Sequence, residues 1–233
     1  MVKDIAVYLD GSDADATRID HAVGLCGRFD AHLTGLYLNA LPQMIVAGSD
    51  VALPMQYVRQ WEEEAVATGN VKEKELVERL SAQVNLSELR RHDVFTDQIS
   101  DRVAMQARAS DLMVMSRPYG DGASIEDEIV VEACLFGSGR GALIVPPDSV
   151  PPESYRRILI GWRSTREATR AVAEAMPFMK CADQVVVALV DEDGSPTELG
   201  IEPAADIARH LDRHGAPLEV RHLSKWDRAA VAC

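Results

Sequence analysis

The chain lacks most of the patterns by which a sequence announces its chemistry. No run approaches 18 consecutive apolar residues, so a membrane-spanning helix is excluded. There is no Gly-x-x-x-x-Gly-Lys-Ser/Thr, Gly-x-Gly-x-x-Gly, Gly-x-Ser-x-Gly or His-Glu-x-x-His. A phosphate loop, a dinucleotide fold, a hydrolase elbow and a zincin therefore have no support. The four cysteines (Cys26, Cys134, Cys181, Cys233) lie far apart with no Cys-x-x-Cys, which argues against a disulfide framework or a zinc site. They read as reduced and mostly buried thiols, Cys26, Cys134 and Cys181 by default. Aromatics make up only 5%, and Trp61, Trp162 and Trp226 are too scattered for a base-stacking platform. Positive charge is also short: 24 Lys and Arg stand against 37 Asp and Glu, a net charge of −13. That field repels a phosphate backbone, so nucleic acid is not an expected partner. Met1-Val2-Lys3-Asp4 leads straight into an apolar run with no signal-peptide core, so a cytoplasmic address is expected.

What is present is an ordinary globular composition, 47% hydrophobic and 26% charged over 233 residues. That length suits one large domain or two small ones. The acidic excess sits almost wholly before residue 150. The segment Pro146-Pro147-Asp148-Ser149-Val150-Pro151-Pro152-Glu153 fixes extended backbone and removes amide donors, as a linker does.

Before that linker, short apolar runs alternate with helical periodicity. Strands are expected at 5–9, 32–38, 89–96, 111–116 and 142–146. Between them the spacing predicts helices over about 13–29, 56–83, 98–108 and 126–137. The first helix carries Ile19, Ala22, Val23, Cys26 and Phe29 as one apolar stripe, with Ser12 or Asp13 as its cap. Residues 39–55 and 117–125 read as loops. Such alternation implies βαβ units and a parallel sheet, with ligands beyond the carboxyl ends of the strands.

After the linker the pattern restarts: strands at 156–162, 184–190 and 218–223, helices over about 165–180 and 203–214. A shift of about 152 places Ala16-Thr17-Arg18 on Ala168-Thr169-Arg170, an internal repeat. The second copy stops short of its fourth and fifth strands. The expected domains are 1–147, a Pro-rich linker at 148–155, and an incomplete second unit over 156–233. Cys233 is then either the end of a shortened tandem protein or a truncation. A three-stranded sheet with an open apolar edge invites another chain.

Together these residues resemble the universal stress proteins. The likeness is carried by a strand ending in Asp10-Gly11-Ser12, the Ala-Thr-Arg helix and Ala31-His32-Leu33-Thr34-Gly35-Leu36-Tyr37. Ser110 to Pro118, Leu143-Ile144-Val145-Pro146-Pro147 and the restart at Arg157-Ile158-Leu159-Ile160-Gly161-Trp162 extend it. The resemblance covers the whole chain, in a tandem form. It implies an α/β fold: a five-stranded parallel sheet with helices on both faces, followed by the incomplete copy. It also implies a stress-responsive binding protein, often dimeric through its fifth strands, with ATP bound in some members only.

For that ligand the resemblance assigns Asp10, Gly11 and Ser12 near the adenosine; the plain reading of Asp10 is a turn residue. Nucleotide-binding members carry Gly-x-x-Gly after the fourth strand, then Gly-Ser or Gly-Thr about nine residues on, because close approach of amides to phosphate needs glycine. Here the first glycine position is Ser116, and the second is Tyr119 or Gly120. Arg117, Gly120 and Gly122 complete the candidate cofactor-binding set, Arg117 as an anion contact or a solvated loop residue. The later position falls near Glu132-Ala133, where a carboxylate opposes a triphosphate. Gly137-Ser138-Gly139 reads as a helix stop. Asp121, Glu126, Asp127 and Glu128 make the loop acidic. In the second unit Arg163-Ser164-Thr165 replaces Asp-Gly-Ser, and no phosphate loop follows.

His210 and His214 lie i, i+4 without a third ligand and read as a solvated face, so no metal is expected. Asp97 could serve a receiver-type fold, but that class needs an acidic pair at the first strand's end. The expected protein is thus a cytoplasmic, non-enzymatic binding or regulatory protein with a degenerate or absent ATP site. No cofactor is expected, and it acts through a homodimer or partner protein. The alternative is an adenine-nucleotide (ATP)-binding stress protein with at most slow ATP hydrolysis.

Overall fold

A computed structural model describes residues 1–43, 55–84, 87–120, 122–191 and 205–224. The chain divides into two compact units, Met1–Pro151 and Pro152–Cys233.

In the first unit, β1 (Asp4–Leu9), β2 (His32–Ala40), β3 (Ser87–Val94), β4 (Leu112–Ser116) and β5 (Gly141–Val145) form one parallel sheet of order β3-β2-β1-β4-β5. The helices are α1 (Ala14–Phe29), α2 (Met55–Gln83), α3 (Thr96–Ala107) and α4 (Ile125–Glu132). Alternation along the strands sends residues to two cores. Ala6, Tyr8, Leu36, Leu38, Met113 and Met115 face α3 and α4, meeting Ile99, Val103 and Val130. On the other face α1 packs along β1 and β4, and α2 along β2 and β3. Gly35 there leaves room for Leu9, Leu80 and Leu89; a Cβ would lie 2.8 Å from Leu89 Cδ1.

Two local expectations change. Neither Ser12 nor Asp13 caps α1: Asp13 is the residue before the helix, and its side chain makes no capping hydrogen bond. Asp15, inside the first turn, instead takes the amides of Asp10 and Gly11, at 3.2 and 2.8 Å. The helix expected over 126–137 is α4 followed by a π-helical turn, Ala133–Ser138, closed by Gly139 in the left-handed region (φ 71°). Gly139 is thus the helix stop.

The second unit carries β6 (Arg157–Gly161), α5 (Arg166–Met179), β7 (Gln184–Asp191), α6 (Ala205–Arg213) and β8 (Leu218–Ser224). Its parallel order, β6-β7-β8, matches β1-β2-β3 of the first unit. Val172, Met179, Val185, Val187, Ile207 and Leu211 form its core. Cys26 and Cys134 are buried as expected, but Cys181, in the turn just past the end of α5, is exposed rather than buried. Asp121, Trp226 and Cys233 lie outside the described residues. No described helix is long and apolar enough to cross a membrane.

Candidate functional site

Strand order reverses direction between β1 and β4, and a parallel sheet opens a crevice at the carboxyl ends of such a pair. Asp10, Gly11 and Ser12 follow β1, and Ser116 ends β4. The β1 turn is tight: the Ser12 amide donates to Asp10 Oδ1 at 2.8 Å, and Gly11 has φ +82°. Glycine is needed twice over at this point, for that angle and because α2 approaches closely. A Cβ on Gly11 would sit 3.3 Å from Lys72 Cγ and 3.5 Å from the Tyr37 hydroxyl.

The crevice holds Arg18. Asp15 and Arg18 are one turn apart on α1, on the same face as Ile19 and Ala22, so packing that stripe on the sheet carries both charged groups inward. Arg18 is 1% exposed. Its Nη2 donates to Asp10 Oδ1 at 2.7 Å and Asp15 Oδ1 at 2.6 Å, and lies 3.4 Å from Ser12 Oγ. Its Nη1 donates to Ser116 Oγ at 3.1 Å and lies 3.7 Å from Asp127 Oδ1. The guanidinium carbon stands 4.8 Å from the centroid of the Tyr8 ring, within cation–π range.

Three carboxylates thus converge on one cation. Burial works against the charge on Asp10, but Arg18 and the hydrogen bonds from Ser12 outweigh it and hold Asp10 below the usual range. For Asp15 burial dominates, and with the Asp10 charge beside it the carboxyl is pushed up despite Arg18. Burial lowers Arg18 less than Asp10 and Asp15 raise it, so it stays charged. The Tyr8 phenol is pushed far up by burial and by Asp10. Arg18 Nε and Asp127 Oδ1 are buried and make no hydrogen bond.

The loop that a phosphate would need is built differently. Gly120 and Gly122 have φ +97° and +81°, and the Arg117 guanidinium folds over Gly120, its Nη2 3.0 Å from where a Cβ would be. At the head of α4 a capping box closes the turn. The Asp127 amide donates to Ser124 Oγ, while the Ser124 amide and hydroxyl donate to Asp127 Oδ2, each at 3.0 Å. Glu126, Asp127 and Glu128 fill that first turn, favouring the helix dipole and opposing an anion. Glu132-Ala133 ends α4, and the Ala133 amide is bonded to the carbonyls of Ile129 and Val130.

Asp10, Gly11, Ser12 and Ser116 therefore meet in one network, and Arg117, Gly120 and Gly122 stand on the loop beyond it. The network's centre, Arg18, and its partners Asp15, Asp127 and Tyr8 were not among the expected site residues. A charged pair i, i+3 inside an apolar stripe was the available signal. In the second unit Thr165 caps α5, accepting the Ala168 amide, and Arg170, the repeat partner of Arg18, pairs with Glu174 at the surface. His210 and His214 stack edge to face, 4.7 Å between centroids. Among the described residues no group of three or more His, Cys, Asp or Glu is placed to hold a metal ion.

No protein-family profile matches the chain, and no curated protein sequence matches it. Solved structures do. A universal stress protein from Archaeoglobus fulgidus DSM 4304 aligns over 98% of this chain and 79% of its own, with a TM-score of 0.69 at 16% identity. The chain has the universal stress protein fold. A protein of that family from Burkholderia pseudomallei and a universal stress protein from Lactobacillus plantarum each align with 62% of it. Their TM-scores are 0.41 and 0.44, at 20% and 17% identity, over 96% and 97% of their own lengths. In this universal stress fold the strand-end crevice at Asp10 and Ser116 is taken up by the Arg18 network.

Proposed function

We propose that the chain is a cytoplasmic, non-enzymatic binding or regulatory member of the universal stress family whose strand-end adenosine site is closed by its own Arg18. One observation carries this reading. The carboxylate at the end of β1, Asp10, is bonded at 2.7 Å to a fully buried guanidinium that also binds Asp15 and Ser116. A nucleotide would have to displace that cation, leaving three carboxylates around its own charge. The same reading takes residues 1–147 as a universal-stress-type domain, 148–155 as a linker and 156–233 as an incomplete second copy. The protein acts as a homodimer or on a partner protein, with no cofactor. Titration calorimetry with MgATP on the full chain tests it: no saturable binding is expected up to about millimolar ATP. Stoichiometric adenine nucleotide in native mass spectra of the purified protein overturns it.

One observation favours the alternative, an ATP-binding protein with at most slow hydrolysis. Arg117 stands with Gly120 and Gly122, both in left-handed backbone, between β4 and α4. On that reading Arg117→Ala weakens ATP binding and Asp10→Ala removes it.

A further inference from the structure

At the opposite end of the first sheet from the Arg18 crevice, the amino ends of β1, β2 and β3 line a cavity of about 340 Å³. Its floor is Ala6 and Leu36, both buried. α3 ends at Ala107, and Gln106 and Ala109 stand at that end as the opposite wall. Past the helix the covered sheet face turns polar. Side chains alternate along a strand, so Asp4 shares the face of Ala6, and His32 and Thr34 share that of Leu36. Register sets Asp4 beside His32, Thr34 beside Glu88 and Leu36 beside Arg90. Under a helix this face is apolar, as it is at Tyr8, Leu38 and Met113.

The polar groups divide into a bonded wall and an open one. Thr34 Oγ donates to Glu88 Oε1 at 3.3 Å, and Arg90 Nη2 donates to the same oxygen. Arg90 Nη1 donates to Gln106 Oε1 at 2.9 Å. These bonds fix the β3 side. Facing it, the Asp4 carboxylate and the His32 ring have no hydrogen-bond partner among the described residues. The nearby Asp111 carboxylate is already taken by the amides of Lys3 and Asp4. Glu88 and Arg90 cancel in charge, so Asp4 is the surplus charge of the lining.

We propose that this cavity binds a small neutral polyol on the scale of one sugar ring. A carboxylate only accepts hydrogen bonds, whereas an imidazole both donates and accepts. Hydroxyl groups serve both, donating to Asp4 and to Glu88 Oε2 and accepting from His32, while the C–H face of the ring rests on Ala6 and Leu36. An ammonium only donates and leaves the imidazole N–H unanswered. A phosphate meets two carboxylates and a guanidinium whose terminal nitrogens are already engaged. A nucleobase finds no Phe, Tyr or Trp among the described lining residues on which to stack. The volume equals about eleven waters at about 30 Å³ each, at the small end of ligand pockets. The inference is independent of what the Arg18 crevice binds.

Titration of the ¹⁵N-labelled full chain with D-glucose and with myo-inositol tests it. Saturable amide shifts are expected around Thr34, Glu88 and Gln106 and not at Asp10 or Ser116, with a Kd of about millimolar. Asp4→Ala removes the free acceptor, and Ala109→Phe fills the cavity without altering its charge. Each should weaken binding about tenfold or more. Both positions are exposed, so circular dichroism and thermal midpoints should match the parent. Absence of saturable shifts with both polyols overturns the proposal, as do shifts that neither variant weakens. A stronger response at the same amides to ethanolamine or to inorganic phosphate overturns it as well.

Discussion

Arg18 Nη1 and Asp127 Oδ1 lie 3.7 Å apart, an ion pair that reaches from the second turn of α1 to the first turn of α4. With the bonds to Asp10, Asp15 and Ser116 it ties the carboxyl ends of β1 and β4 to the helices on both faces of the sheet. The crevice is a structural joint.

Removing the cation should therefore unfold more than it opens. Arg18→Ala leaves three carboxylates facing one another, and loss of one partner of a buried ion pair typically costs about 3–5 kcal/mol. Urea unfolding at neutral pH should show a loss of that size, shrinking as the pH falls toward the carboxylate range. An Arg18→Ala midpoint equal to the parent's would mean the network holds nothing together.

Asp10 and Asp15 should leave opposite marks on stability against pH. Asp10 is held below its ordinary 3.8, so it contributes stability above that value that is lost as the pH falls through its folded value. Asp15 is raised above 3.8, so between 3.8 and its folded value the native state binds more protons than the unfolded state, and stability falls as the pH rises. Thermal midpoints of Asp10→Asn should lack the loss below about pH 4, and those of Asp15→Asn should lack the decline above it. The same pH profile for both variants would contradict the assignment.

Gly69 in α2 should not accept even a methyl group. A Cβ there would sit 2.5 Å from Asn39 Nδ2 and 2.6 Å from Arg91 Nη2. Neither neighbour is free to retreat: Asn39 donates to the Ala65 carbonyl and to Asp93, and Arg91 to Asn70, Glu73, Asp93 and the Val66 carbonyl. Gly69→Ala should cost about 1–3 kcal/mol in chemical denaturation, whereas Gly27→Ala, with nothing within 4 Å, should not destabilise.

Thiol chemistry should separate the cysteines. Burial pushes Cys26 and Cys134 up to about 11, leaving almost no thiolate at neutral pH. Cys181 is exposed. Brief iodoacetamide treatment of the native protein, read by peptide mapping, should label Cys181 and spare Cys26 and Cys134. Equal labelling of Cys134 and Cys181 would show that the π-helical turn opens readily.

Much of this was legible in the sequence, because apolar runs and helical periodicity are set by the same burial that builds the sheet. The strand at 5–9, the long helix over 56–83 and the restart at 157 were each found within a residue or two. The repeat likewise predicted a second sheet of three parallel strands. The expected Asp10, Gly11, Ser12 and Ser116 converge in one network. What stayed hidden were the side chains that break the pattern. Arg18 and Asp15 ride inward on an apolar stripe, where charge is usually counted as solvated, and their burial depends on a neutralising partner that only the fold supplies. The π-helical turn looks like ordinary α-helix in the sequence because one extra residue per turn leaves no trace in periodicity over six positions. The exposure of Cys181 is not legible either: the expected helix over 165–180 ends before it, as α5 does, and nothing in the sequence of the turn that follows says which side chains face water.

The tether on Arg18 also fixes the terms on which any outside ligand competes. The guanidinium is anchored to α1 and cannot be diluted away, so the crevice accepts a visitor only in the fraction of molecules where the side chain has swung out. If that excursion costs about 3 kcal/mol, every intruder's affinity is divided by about a hundred before its own contacts count. To any such visitor Arg18 is a competitor already in place.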